Sequence, residues 1–312
     1  MKKILSILLA LALTVGACFA FVACGNPDEC TNHIDADGDG VCDTEGCDEA
    51  VAPTPRANIK VGVQSGTTGQ YFVDGDADWG FDGIAGYESK GYQNGGLAVT
   101  DMLNGNVKYV MIDQQPALQL TEKISGIKVV NIPLTVEEYA FGVDKAQDDL
   151  LASVNSIVAA MKTNGKLDEI VAKYATGEGI TPVTSGTLDL NNQAGQLVVA
   201  TNANFAPFEY KEGSQFAGID MEIAAYIADQ LDLELVIMDM DFESTVTSVG
   251  SNGIDIVMAG LTVNETRKQS VNFTESYYDA AQVLIVKQSD VTFNLCETAE
   301  DVIAKLESLA AN

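Results

Sequence analysis

The stretch QLVVATNANFAPFEY, Gln196–Tyr210, decides the reading of this 312-residue chain. It has the form of an opening strand and first binding loop: an apolar run, then a polar turn with a proline between aromatic residues. Yet it stands almost two-thirds of the way along. The sequence in front of it is equally well formed. IKVGV (59–63) reads as a buried strand, and QSGTTG (64–69) as a turn opening a helix. GGLAVTDMLNGN (95–106) is a helix stopped at Asn104-Gly105, followed by the strand VKYVMID (107–113). Behind the opening stretch, FESTVTSVGSNG (242–253) and IDIVMAG (254–260) repeat the unit of helix, Asn-Gly and strand. Strands alternating with helices predict an α/β fold with one or two mostly parallel sheets and a ligand at the strands' carboxyl ends. Gln64 to Gly69, Asp113 and Ala259 to Thr262 all fall there.

Composition narrows the partners. The chain carries 17 basic against 45 acidic residues, a net charge of -28. Nucleic acid and anionic lipid both require a basic footprint, so neither is expected as a partner. The first residues predict export: MKK precedes the apolar run ILSILLALALTVGACFAFVA. FVAC, ending at Cys24, is similar to a lipobox and makes Cys24 the expected lipidated residue. VGAC at Cys18 is the competing site. Residues 1–24 are therefore read as a lipoprotein signal, and the mature protein as held by lipid at the extracellular face.

Residues 25–57 form a tether. Cys30, His33, Cys42 and Cys47 have the soft sulfur and imidazole of a tetrahedral zinc site. Asp35, Asp37, Asp39 and Asp43 surround Gly40 in the D-x-D-x-D-G opening of a calcium loop, although position twelve is Gly46 rather than a glutamate. A disulfide-pinned acidic spacer without metal is the third alternative. VAPTPRAN closes the tether as a stiff linker.

Six further stretches carry a resemblance. They are ATNANFAPFEY, FAGIDMEIAAYIADQL, the run from Asn252 to Lys287, KVGVQSGTTG, LNGNVKYVMIDQQPA and LASVNSIVAAMKTNGKLDEIVAKYAT. Each resembles a signature of the amino-acid-binding extracellular solute-binding proteins of ABC transporters, family 3. In that family ATNANFAPF comes first, VGVQSGTTG in the middle and KLDEIVAKYA last. The resemblance covers about 58–178 and 197–312 and shows the signatures once each, in cyclic order. It implies a two-lobed periplasmic-binding-protein-like (type II) α/β clamp with two hinge strands, circularly permuted within its second lobe. The implied divisions are 58–133 for most of the second lobe and 134–178 for the first lobe's last helices. A permutation linker follows at 179–196, then 197–287 for the rest of the first lobe and 288–312 for the rest of the second. The hinge strands are expected near IPLTVEEYAFGV and VLIVKQ.

A free α-amino acid presents a carboxylate and an ammonium, and burying either without a partner costs several kcal/mol. A planar arginine fork suits the carboxylate, and this chain has two arginines, Arg56 in the linker and Arg267. By resemblance Arg267 is the carboxylate clamp; a surface arginine paired with Glu265 is the plainer alternative. The resemblance adds Thr68 and the Thr262 N–H to the carboxylate site, and gives the ammonium to Asp113, the Gly260 carbonyl and the Thr262 hydroxyl. Thr68 as a plain helix cap and Asp113 as a turn cap are the alternatives. Phe205 and Phe242 match positions that wall the ligand's apolar part, unless they are core. Gln64 is a side-chain contact. Asn202 stands where the family's binders of cationic amino acids carry an acid, which leads to an expected neutral or polar ligand.

The resemblance implies a monomer that binds an amino acid without a cofactor and docks on an ABC permease and its ATPase. The chain has no phosphate-binding GxxxxGK[ST] motif of its own, and no enzymatic activity is expected. Two other classes stay open: a dehydratase-like enzyme using Glu209 or Asp220 as general acid, and a metal-dependent receptor or scavenger built on the cysteine tether.

Overall fold

The computed structural model describes residues 58–311. Cys18, Cys24, the candidate zinc set Cys30, His33, Cys42 and Cys47, and the candidate calcium set Asp35, Asp37, Asp39 and Asp43 lie outside the described residues.

The chain starts with three strand–helix pairs. These are β1 (Ile59–Gln64) with α1 (Thr68–Asp74), β2 (Tyr87–Tyr92) with α2 (Gly95–Asn104), and β3 (Tyr109–Asp113) with α3 (Gln114–Lys123). β4 (Ile127–Val130) follows. Asn94 caps α2 by accepting from the Leu97 N–H, and Gly105 ends it in the left-handed conformation, as the Asn-Gly signal predicts. After β5 (Glu137–Tyr139) the chain passes to β6 (Gly142–Asp144), α4 (Asp148–Asn164) and α5 (Lys166–Thr176).

The stretch that opened the reading is β7 (Gln196–Thr201), buried at every position, as a central parallel strand covered on both faces must be. A small meander of β8 (Asn204–Phe205), β9 (Glu209–Glu212) and β10 (Gln215–Ala217) leads into α6 (Ile219–Gln230). Next come β11 (Glu234–Asp239), α7 (Phe242–Ser248), β12 (Ile256–Val257), α8 (Glu265–Lys268), β13 (Val271–Phe273), β14 (Tyr278–Ala280), β15 (Gln282–Lys287) and α9 (Ala299–Ala310). α7 stops at Ser248, short of the Asn252-Gly253 signal, and a turn fills the interval.

Two five-stranded sheets result, with strand orders β2-β1-β3-β15-β4 and β11-β7-β12-β6-β13. They share one plan. Three strands run parallel, and the fourth is antiparallel to both of its neighbours. That fourth strand always arrives from the other sheet: β6 follows β4 and β5, and β15 follows β13 and β14. The exchange makes two lobes joined by two crossing segments, the type II periplasmic-binding-protein-like clamp.

The crossing segments pair as β5 with β14, aligning Tyr139 with Tyr278 and Glu137 with Ala280. Aromatic rings pack around this pair: Phe141 stacks on Tyr277 at 4.3 Å, and Phe208 meets Tyr139 edge-on at 5.1 Å. The structure corrects the sequence reading here. IPLTVEEYAFGV does hold one hinge strand, but VLIVKQ is β15, wholly inside the second-lobe sheet. The second hinge strand lies before it, and the division at 287 moves back to about residue 281. An apolar run such as VLIV signals a buried strand without saying which sheet receives it.

The polar segment 179–196 is docked along the first lobe. Val183 exchanges backbone hydrogen bonds with Phe216, at 2.6 and 2.9 Å. The Gly186 N–H donates to the Leu235 carbonyl at 2.8 Å, and the Ile237 N–H donates to Ser185 Oγ at 2.8 Å. It thereby covers the open edge of β11.

Candidate functional site

Both sheets point the carboxyl ends of their parallel strands at the same cleft. From the second lobe come Gln64 at the end of β1, Thr68 as the first residue of α1, and Asp113 at the end of β3. From the first lobe come Phe205 on β8, Phe242 as the first residue of α7, Gly260 and Thr262 beyond β12, and Arg267 on α8. These eight residues and Thr67 line one enclosed cleft. Asn202 is not on its wall. It stands behind Gln64, accepting from Gln64 Nε2 at 3.0 Å and donating to the Met240 carbonyl at 2.7 Å.

The lobes meet across the cleft through polar groups. Besides Gln64 and Asn202, Thr68 Oγ1 donates to Thr262 Oγ1 at 3.2 Å, and Arg267 Nη2 donates to the Gly66 carbonyl at 3.1 Å. Thr262 Oγ1 in turn donates to Glu137 Oε2 at 2.6 Å. Glu137 Oε1 accepts from Thr135 Oγ1 at 2.6 Å and from Gln282 Nε2 at 3.0 Å. Tyr139 donates to Asp113 Oδ1 at 2.5 Å. The hinge strand β5 thus supplies two groups to the site, a contribution the sequence reading missed. In Glu137-Glu138-Tyr139 the outer two are buried and the middle one is exposed, as period two requires, but two adjacent glutamates write no such alternation into the sequence.

Arg267 is buried, at 7% exposure. It makes no bond to Glu265, whose carboxylate pairs with Lys268 at 2.7 Å. Its Nη1 donates to the Thr262 carbonyl at 2.7 Å. The guanidinium carbon lies 4.9 Å from the Trp79 ring centre and 5.3 Å from that of Phe242. Its remaining N–H groups are available to an acceptor in the cleft. Burial lowers its pKa to about 10, against the raising influence of Glu137.

Asp113 is the N-cap residue of α3 but makes no side-chain cap bond; its carboxyl turns to Tyr139 instead. Burial, followed by the charge of Glu137, pushes its pKa up to about 7. Gln64 Oε1 is buried without a hydrogen-bond partner among the described residues, so an acceptor waits on the second-lobe wall.

Glu209 and Asp220 do not reach this cleft. Both are fully buried. Asp220 Oδ2 accepts from the Gly260 N–H at 2.9 Å, and Tyr277 donates to its other oxygen. Asp220 thus fixes the loop that presents Gly260, with burial raising its pKa to about 7. Glu209 has both oxygens without a partner among the described residues, and burial holds its pKa well above the usual carboxylate range. The sequence reading of either as a general acid in the cleft is corrected by these positions.

Among the described residues no group of three His, Cys, Asp or Glu could hold a metal ion. No helix among them is long and apolar enough to cross a membrane.

Two lobes, two crossing strands and a cleft lined by an arginine on one side and a carboxylate on the other define the site. Comparison with known proteins finds a partial match. Residues 197–308 match the profile of the bacterial extracellular solute-binding proteins, family 3. The arginine-binding extracellular protein ArtP of Bacillus subtilis (strain 168) is 35% identical over 105 residues, 33% of this chain and 41% of that protein. A probable histidine-binding protein of Campylobacter jejuni is 32% identical over 82 residues, 26% of this chain and 32% of its own length. The chain thus spans less than half the length of these relatives. The crystal structure of the arginine-bound form of domain 1 from TmArgBP is 28% identical, with 40% of this chain and 98% of that one covered and a TM-score of 0.27.

Proposed function

We propose that this protein captures a free L-α-amino acid with a cationic side chain and presents it to an ABC importer. The observation that carries this reading is the pairing of Arg267, on the first lobe, with Asp113, on the second, in one enclosed cleft. The ligand carboxylate takes the free N–H groups of Arg267. It also takes the N–H of Thr68, which opens α1 and has no acceptor within the helix. The ammonium takes Asp113, the Gly260 carbonyl and the Thr262 hydroxyl. Phe205 and Phe242 wall the carbon skeleton.

The ligand's side chain follows from charge and hydrogen bonding. Asp113 and Glu137 stand against a single arginine at the site, and a zwitterion adds equal charges. The excess of carboxyl over guanidinium groups favours a further cation. Gln64 Oε1 asks for a donor, and an aliphatic side chain offers none. Arginine- and histidine-binding relatives support the same class. This revises the expectation of a neutral ligand, which rested on Asn202 alone; Asn202 is spent on Gln64 and Met240 rather than facing the ligand.

Export, with lipid on Cys24, would hold the clamp at the outer face, and the tether would give it reach. The motif order supports circular permutation, with 179–196 joining the family's ends. The structure is compatible with it: Gly86 lies against Ala310 near the end of α9 and accepts from the Ile59 N–H at the start of β1.

The test is calorimetric titration and thermal shift with the twenty free amino acids. L-Arginine, L-lysine or L-histidine at 100 times its Kd should stabilise the protein by about 2.7 kcal/mol, roughly 2–4 °C. Arg267→Ala and Asp113→Asn should abolish the shift. Binding restricted to aliphatic or acidic amino acids would falsify the cationic assignment, and no binding at all would remove the amino-acid reading.

A further inference from the structure

The loop between α1 and β2, residues 75–86, contains the chain's single tryptophan. It is a closed structure rather than a slack connection. Gly75 and Gly83, both at positive φ, cross so tightly that a Cβ on either would come within 3.0 Å of the other strand's backbone. Asp76 and Phe81 pair as an antiparallel bridge. The Asp76 carboxylate accepts from the N–H groups of Asp78 and Trp79, at 2.9 and 3.2 Å. Phe81 packs edge-on against Phe72 of α1 at 5.3 Å. A loop built this firmly holds its apex in a defined place.

At that apex Trp79 stacks on Tyr71 of α1, 4.2 Å between ring centres and 18° between planes. Its ring also lies 4.9 Å from the Arg267 guanidinium, which belongs to the other lobe. Phe242 stands 5.3 Å from the same guanidinium. The result is a stack of Tyr71, Trp79, Arg267 and Phe242 running from the second lobe to the first. Trp79 does not line the cleft; its contact is with the arginine.

We propose that Trp79 is a positioning residue for ligand capture: a latch on the second lobe that docks on the first lobe's Arg267 when the clamp closes. It holds the fork in the plane that receives a carboxylate. This rests on the amino-acid reading above and extends it to the control of release. Stacking on an aromatic face leaves the edge N–H groups of a guanidinium free for a carboxylate, and a dry cation–π contact is strongest where water is excluded. Because the contact joins residues of the two lobes, its loss acts on the dissociation rate rather than on encounter.

The test uses the full chain with Trp79→Ala and Trp79→Phe. The first arm needs no ligand. Phenylglyoxal modifies arginine, and Arg56 serves as the internal reference, since it and Arg267 are the two arginines present. Arg267 should label several-fold more slowly than Arg56 in the wild type and in Trp79→Phe, and at a comparable rate in Trp79→Ala. The second arm is stopped-flow with L-arginine as probe, read by tryptophan emission in the wild type and by tyrosine emission in both variants, with affinities from calorimetry for all three. Trp79→Ala should weaken binding by about tenfold, carried by dissociation, with Trp79→Phe retaining most of the affinity. Equal labelling of Arg267 in wild type and Trp79→Ala overturns the latch, as does an unchanged dissociation rate in a folded Trp79→Ala. If Arg267 is shielded but the wild type binds no L-arginine, the ligand reading is what fails, and the latch's role in capture fails with it.

Discussion

Arg267 and Asp113 were both visible in the sequence because each breaks its surroundings. One is among only two arginines in a chain that has fifteen lysines, and the other is a carboxylate at the end of an apolar strand. Truncating one partner of a buried charge pair costs roughly 2–5 kcal/mol, so Arg267→Ala should lose at least about 30-fold in affinity by calorimetry. Arg267→Lys should restore little, because an ammonium cannot make the parallel bonds of a fork. Asp113 gives a pH signature with two opposite signs. Its pKa rises from 3.8 unfolded to about 7 folded, and Asp220 shows the same rise. Between those values the folded chain binds more protons, so ligand-free stability should fall as pH rises from about 4 to about 7. Ligand affinity should move the other way, weakening as pH drops below about 7, because the ammonium needs Asp113 ionised. Melting curves across pH, with Asp113→Asn and Asp220→Asn each flattening the slope, check the first sign. Titrations at pH 5.5 and 7.5 check the second. Glu137 and Tyr139, which set this environment together with Gln282, went unread because a hinge strand of three residues offers too little periodicity.

At the scale of elements, the helix stops and strand runs were mostly legible. The left-handed Gly105 ends α2 as the Asn-Gly signal predicts, whereas the Asn94 cap went unread. Gly218 shows a demand that a sequence only hints at. It has φ 134° and ψ 160° where the meander enters α6, and a Cβ there would sit 2.0 Å from the Phe208 carbonyl oxygen. That oxygen accepts from the Asp220 N–H at 2.9 Å. Gly218→Ala therefore strains a glycine-only conformation and disturbs the residue that fixes the Gly260 loop. A loss of roughly 3 kcal/mol or more is expected in chemical denaturation. An unchanged midpoint would show that the backbone relaxes there without cost.

At the scale of the whole molecule, the two sheets exchange a strand, so neither lobe is complete without the crossing segments. This makes the permutation reading testable. A variant that joins residue 311 to 58 through a short polar linker, and opens the chain between 178 and 196, should fold and bind the same amino acid. Its melting temperature should fall within a few degrees of the parent, since exposed joins tolerate rearrangement. Loss of folding in that variant would show that segment 179–196, docked along β11, is needed as a continuous element.

The sequence by itself determined the α/β class, the buried strands at the heart of both sheets, and eight of the nine residues that line the cleft. These rest on local signals: apolar runs, caps and turn residues, and unusual side chains at strand ends. Only the tertiary structure decided that β15 enters the second-lobe sheet, that Glu137 and Tyr139 bond Thr262 and Asp113, and that Asn202 stands behind Gln64. It alone placed Trp79 on Arg267 and buried Glu209 away from the cleft. The reason is one of range. Periodicity is written between near neighbours, whereas strand pairing and cross-cleft contact join residues more than a hundred positions apart, among apolar strands whose patterns are alike.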